Sequence, residues 1–195
     1  MTNARSPSTV TVIRPRWVPG LTTAPQATAH TDPADVLVAA RPKGPTMPDI
    51  LHRISIDAPP KRVHDLIAST DGIARWWTGR PLTGGHTIGS SFSVYFGDAE
   101  QPAAVMQVLT DTPDQVVWRV TDGPDTWIDT GITFTLRPRG DGGTTLLFTH
   151  AGWQQAGEFM SGCSTNWGAY LTSLKTGAES EAFAAYPAGE ISRWD

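Results

Sequence analysis

His150, Thr130 and Cys163 are the residues of this 195-residue chain whose types and settings suit chemistry best. His150 closes the run "TTLLFTHAG", in which Leu146, Phe148 and His150 fall on one face of a period-two pattern. A neutral imidazole turned toward an apolar interior can hydrogen-bond a ligand, or act as general acid or base near neutral pH. The plainer expectation is a histidine bonded to backbone that fixes the following turn. Thr130 lies between Ile128 and Ile132 on an apolar face. Its hydroxyl either orients a ligand or satisfies nearby backbone, and local bonding is the expected use. Cys163 falls on an apolar helical stripe without electropositive neighbours in the sequence, which predicts a small core residue rather than a nucleophile.

Other chemical signals are weak. His52, in step with Ile50 and Ile54, is expected to face inward. With His86 and His150 it would make a metal site only if the fold gathered all three. No close His, Asp or Glu spacing supports that, so neither metal nor cofactor is expected. There is no GxSxG elbow and no Walker loop, and the Gly-rich "TGGHTIG" at 83–89 reads as a turn. Glu158 and Asp129 form no recognisable acid–base pair. Arg119 and Asp129 are expected to pair across neighbouring strands, worth about 0.2–1 kcal/mol if exposed.

Aromatic residues are the stronger signal. The chain holds eight tryptophans, and Trp76 and Trp77 are adjacent. Neighbours on a helix point about 100° apart, so one face cannot bury both. One is expected to anchor the helices while the other closes a cavity. Trp118, Trp127, Trp153 and Trp167 recur on elements that should face the same interior. Each is either core or ligand wall. The expected ligand-lining set is Trp76, Trp77, Phe92, Val94, Met106, Trp118, Thr130, Ile132, Phe148, His150, Trp153, Trp167 and Tyr170.

What must position these residues follows from periodicity. "DILHRISIDAP" reads as a first strand. Pro59 and Pro60 open a short helix carrying Val63, Leu66 and Ile67. Ser69, Thr70 and Asp71 end it and cap a second, which ends near Trp76 and Trp77. Strand patterns follow through Phe92, Val94 and Phe96; Ala104, Met106 and Val108; Val116, Trp118 and Val120; Ile128, Ile132, Phe134 and Leu136; and Leu146, Phe148 and His150. Turn signals separate them, "GDGG" being the strongest. After Gly152 the period becomes helical, with Phe159, Cys163, Trp167, Tyr170, Leu171 and Leu174 on one stripe and Gly177 as the stop. Short turns imply an antiparallel meander with one buried face. The fold class is α+β: a curved antiparallel sheet wrapped around a long C-terminal helix, with two short helices after the first strand. An imperfect fit between sheet and helix predicts a small apolar cavity.

The chain divides by composition. Residues 1–46 carry five Lys/Arg against two Asp/Glu, while 47–195 carry ten against seventeen. Prolines and threonines punctuate 1–46, predicting a disordered leader with at most a short strand at Thr9–Ile13 and a helical turn at Pro33–Ala40. Met47 is a plausible alternative start. Residues 47–195 form the folded domain, ending in an extended tail from about 178. Its acidic balance excludes a phosphate-tracking nucleic-acid binder and an anionic-membrane surface. No apolar run of about 18 residues exists, so no membrane insertion is expected. One cysteine, no disulfide framework and no secretory signal predict a cytoplasmic protein.

The order of elements, with "WWT" at 76–78, "HAGW" at 150–153 and "NWGAYLTSLK" at 166–175, resembles the SRPBCC (START-like, helix-grip) superfamily. Within it the chain looks most like bacterial homologues of the activator of heat-shock protein 90 ATPase, C-terminal domain type, over about residues 49–177. It departs from the family pattern with Ala151 in place of a serine and with Trp167-Gly168 in reversed order. The resemblance implies the helix-grip fold but does not choose a function. Three functions are carried forward. The first is a binder of a small apolar or aromatic molecule without covalent chemistry. The second is a cyclase, dehydratase or hydrolase using His150. The third, which the family name implies, is a co-chaperone with a chaperone partner.

Overall fold

A computed structural model describes residues 48–193. The expectations for residues 1–46, for Met47 and for Trp194 fall outside that range. Strand β1 (Ile50–Ile56) is followed by helix α1 (Pro60–Ile67) and one turn of helix α2 (Thr70–Ile73). A π-helical turn (Ala74–Thr78) continues α2. Then come β2 (Thr83–Gly84), β3 (Ser91–Val94), β4 (Ala104–Thr112), β5 (Gln115–Asp122), β6 (Gly131–Pro138) and β7 (Thr144–Ala151). Helix α3 (Glu158–Ser180) ends the regular structure. It is not long and apolar enough to cross a membrane, nor is any other helix among the described residues.

The sheet is curved, antiparallel and seven-stranded, in the order β1-β7-β6-β5-β4-β3-β2. Strands β3 to β7 form the predicted meander. Strand β2 lies in the Gly-rich run read as a turn, its two residues adding to β3 with Thr83 opposite Ser93. Strand β1 returns to pair with β7 from Ile50 opposite His150 to Ile56 opposite Thr144. The inner face is the one read from alternation. Phe92, Val94, Met106, Val108, Val116, Trp118, Val120, Ile132, Phe134, Leu136, Leu146 and Phe148 are all buried. Trp167, Leu171 and Leu174 of α3 are buried with them in one core. Each such apolar side chain withdrawn from water contributes roughly 1.5–3 kcal/mol before entropy is counted.

Two local expectations fail for identifiable reasons. Ile128 does not join the β6 face, and it is exposed. Residues 124–130 instead form a tight turn, closed by Trp127 N–H to the Pro124 carbonyl at 2.7 Å. The turn includes a left-handed Asp129 at φ 67°. Arg119 and Asp129 do pair, at 2.6 Å, but across that turn and in an exposed setting. Gly177 does not stop α3, which runs three residues further. It makes room instead, since a Cβ there would lie 1.9 Å from the Phe183 ring.

Short helix α1 behaves as read. Pro60 occupies its first turn and Val63, Leu66 and Ile67 are its buried residues. Ser69 caps α2, its hydroxyl accepting from the Gly72 N–H at 3.1 Å.

Candidate functional site

The adjacent tryptophans sit on the π-helical turn, closed by the Gly79 N–H to the Ala74 carbonyl at 2.9 Å. Such wide turns often occur where function needs a side chain re-aimed. Here both indoles are buried, with ring centroids 6.0 Å apart and planes 16° from parallel. Trp76 is the anchor: its N–H donates to the Leu66 carbonyl at 2.9 Å and its edge meets Phe134. Trp77 reaches the other way, lying nearly parallel to Trp118 and 4.9 Å from Trp167. Its carbonyl accepts from Tyr186 at 2.9 Å. Gly79 permits the sharp exit at φ 69°, and a Cβ there would strike the Tyr186 carbonyl at 2.3 Å.

Trp77 is also one wall of a cavity of about 630 Å³. Phe96 and Trp127 come from the sheet loops, and Cys163, Asn166, Trp167 and Tyr170 from α3. Tyr186, Pro187, Glu190 and Arg193 come from the tail after α3. That tail had no readable period, yet it is tied down at several points. Asn166 grips it three times, donating to the Ser192 carbonyl at 2.8 Å and accepting from Ile191 and Ser192. Ser173 accepts from the Ala184 N–H at 2.8 Å. Phe183 lies against Gly177 with the Arg75 guanidinium 4.3 Å above its ring. Glu181 pairs with Arg62 and Arg75.

Of the expected ligand-lining residues, the structure brings Trp77, Trp167 and Tyr170 to this cavity. Trp76, Phe92, Val94, Met106, Trp118, Ile132, Phe148 and Trp153 are elsewhere in the core, each at most 2% exposed. Sheet and helix mesh there. Trp118 packs against Phe92 and Phe134, and Phe148 against Phe134 and Trp167. The hollow is therefore displaced toward one end of α3, where the tail rather than the sheet completes the wall. The sequence leaves Trp127 open between core and wall and makes Cys163 core, while Phe96, Asn166 and the tail residues escape it because their positions depend on contacts distant in sequence.

Thr130 and His150 are buried together beside the cavity wall. Trp167 Nε1–H donates to His150 Nδ1 at 3.2 Å, which fixes the proton of the neutral ring on Nε2. His150 Nε2–H then donates to Thr130 Oγ1 at 2.8 Å. The Thr130 O–H in turn donates a hydrogen bond to the Trp127 carbonyl. The His150 carbonyl accepts from Trp153 Nε1 at 3.0 Å. Every donor and acceptor of the imidazole is used within the protein. Burial lowers its pKa from 6.5 to about 3, so the ring is neutral at physiological pH.

Of the other described histidines, His52 stands by itself, while His64 and His86 converge on Asp111. His52, half-buried, lies 6.0 Å from Phe148. His86 packs against Phe92 and Trp118. Its Nε2 accepts from Trp118 Nε1 at 2.9 Å, while its buried Nδ1 has no hydrogen-bond partner. Asp111 Oδ2 stands 3.9 Å from that Nδ1, and Asp111 Oδ1 accepts from His64 at 2.9 Å. Sequence parity hides this trio. An irregularity in the β4–β5 pairing at Val108–Thr110 shifts the register and sets Asp111 opposite buried Val116. Among the described residues no group of three or more His, Cys, Asp or Glu is disposed to hold a metal ion. Burial pushes the Cys163 thiol up to about 11, so it is protonated. The nearby Trp127 N–H, which has no other hydrogen-bond partner, leans toward the sulfur and offsets a little of that rise.

The family model described as Activator of Hsp90 ATPase homolog 1-like protein matches residues 57–179. Among solved structures, the Aha1 dimer from Colwellia psychrerythraea is 31% identical. That likeness covers 69% of this chain and 98% of that one, with a TM-score of 0.62. Protein SSP2350 from Staphylococcus saprophyticus is 17% identical over 72% of this chain and 99% of its own, with a TM-score of 0.58. CalU16 from Micromonospora echinospora is 22% identical over 68% and 77%, with a TM-score of 0.55. The last two speak for the fold alone. A comparison with curated proteins finds no match. The matched sequence, the curved sheet and the long terminal helix together place this chain in the Activator of Hsp90 ATPase homolog 1-like family, with the SRPBCC, START-like fold.

Proposed function

We propose that this protein binds a small apolar or aromatic molecule in the cavity between α3, the π-helical turn and the tail, without covalent chemistry. The cavity itself carries the reading. Its volume of about 630 Å³ lies within the roughly 300–1,000 Å³ usual for ligand sites. Six aromatic side chains line it: Trp77, Phe96, Trp127, Trp167, Tyr170 and Tyr186. The use of His150 as a catalyst has less support, because its lone pair and its proton are both engaged inside the protein. A cytoplasmic setting belongs to the same reading, since Cys163 is a free thiol.

A thermal-shift and tryptophan-fluorescence screen with fatty acids, aromatic polyketides and flavonoids tests it. A ligand at 100 times its dissociation constant adds about 2.7 kcal/mol of stability. Silence across all three classes would refute it. A second reading, a chaperone partner, draws on the 31% identity to the Colwellia Aha1 protein. Stimulation of a chaperone ATPase by the full chain would favour it, and no stimulation would remove it.

A further inference from the structure

The tail after α3 lies beyond the segment the family model matches, which ends at residue 179. It supplies the cavity with one feature the rest of the wall lacks, a half-buried carboxylate. Glu190 lines the cavity, and its side chain makes no hydrogen bond or ion pair among the described residues. Its backbone N–H is held by the Pro187 carbonyl at 3.1 Å, so the side chain has a fixed base. The wall around it is aromatic, and aromatic faces carry negative potential that attracts cations. We propose, resting on the ligand-binding reading above, that the preferred ligand is a lipophilic cation. It would be an aromatic or apolar body bearing one ammonium or amine group, with the body among the tryptophans and the charge at Glu190.

The other polar groups of the wall do not neutralise Glu190. Tyr170 is held protonated, first by its own burial and then by the Glu190 carboxylate and Tyr186, so it adds no charge. Asn166 is neutral and occupied with the tail backbone. Arg193 also reaches the rim, but it is exposed and makes no ion pair with Glu190. Water and salt screen an exposed guanidinium far more than a carboxylate against a low-dielectric wall. The domain around the cavity is also acidic, with ten Lys/Arg against seventeen Asp/Glu in residues 47–195, which raises the local concentration of cations.

Three probes on one naphthalene body test this with the full chain: naphthylmethyl-trimethylammonium, naphthylmethanol and naphthoate. Calorimetry gives each dissociation constant, and quenching of tryptophan fluorescence places the probe. The expected result is that the cation binds about tenfold tighter than the alcohol and the carboxylate weakest. In Glu190→Gln the cation should lose most of its advantage over the alcohol, keeping only what the aromatic faces supply, while Arg193→Gln should keep the full preference. Equal binding of all three, preference for the carboxylate, or a preference undiminished in Glu190→Gln would overturn the cation proposal while leaving the cavity reading intact. Failure of every probe to bind would count against the cavity reading itself and remove this proposal with it.

Discussion

Replacing His150 by alanine tests the most heavily bonded side chain of the core. The substitution removes an imidazole that is 0% exposed. It leaves the Trp167 N–H without its acceptor and takes a donor from Thr130. An orphaned buried donor costs about 1–3 kcal/mol, and the vacated ring volume adds a comparable loss, for ~3–5 kcal/mol in all. The pH dependence gives a second, independent reading. The folded pKa is lowered from 6.5 to about 3, so the unfolded chain binds the proton first as pH falls. The stability carried by the neutral ring is whole above pH about 6.5 and drains away as the pH drops toward 3. Between about pH 7.5 and about pH 5 that loss is ~2 kcal/mol at ~1.4 kcal/mol per tenfold. Burial also lowers His52 and His86. They act in the same direction but remain in the variant, so the difference between the two proteins isolates His150. Chemical denaturation at both pH values, followed by fluorescence, measures it. A loss under about 1 kcal/mol near neutral pH, or the same pH slope in both proteins, would refute the bonding scheme. Alanine that kept its stability but lost a turnover would point back to catalysis.

Three further outcomes are expected. Cys163→Phe should fill the cavity and abolish ligand binding, at an overpacking cost of about 1–3 kcal/mol, read by thermal shift and calorimetry on the same sample. With its pKa near 11, the native Cys163 thiol should react with a disulfide reagent orders of magnitude more slowly than the unfolded chain at neutral pH; comparable rates would contradict its burial. Asn166→Ala removes three bonds to the tail. It should speed hydrogen exchange at Ile191 and Ser192 while leaving β6 and β7 protected, and uniform exchange across the domain would show that the tail is not a separate unit.

Much of the framework is written locally. Alternation at Phe92, Met106, Trp118, Ile132 and Phe148 names the inner face, because a strand's side-chain period is fixed at two by its own backbone. The Ser69 cap and the stripe through Cys163, Trp167, Tyr170 and Leu174 are local for the same reason. The candidate site is less legible. Trp77, Trp167 and Tyr170 could be named from their type, but nothing near them in sequence says which aromatic faces a space and which faces a neighbour. Asp111 points inward only because pairing slips between Val108 and Thr110. The sequence favours a bonded His150, but its partners are side chains it does not point to: Trp167 and Thr130 reach the ring from distant elements, while the nearby Trp153 takes the carbonyl.

The sequence alone determined the order of the main elements, the buried face of the long strands away from the β4–β5 register shift and the stripe of the last helix, since these follow from short-range periodicity. The tertiary structure alone decided where the hollow lies and that Glu190 borders it. A cavity is what remains when distant surfaces meet imperfectly, and the tail that completes it is held by Asn166, Ser173 and Trp77 rather than by any pattern of its own.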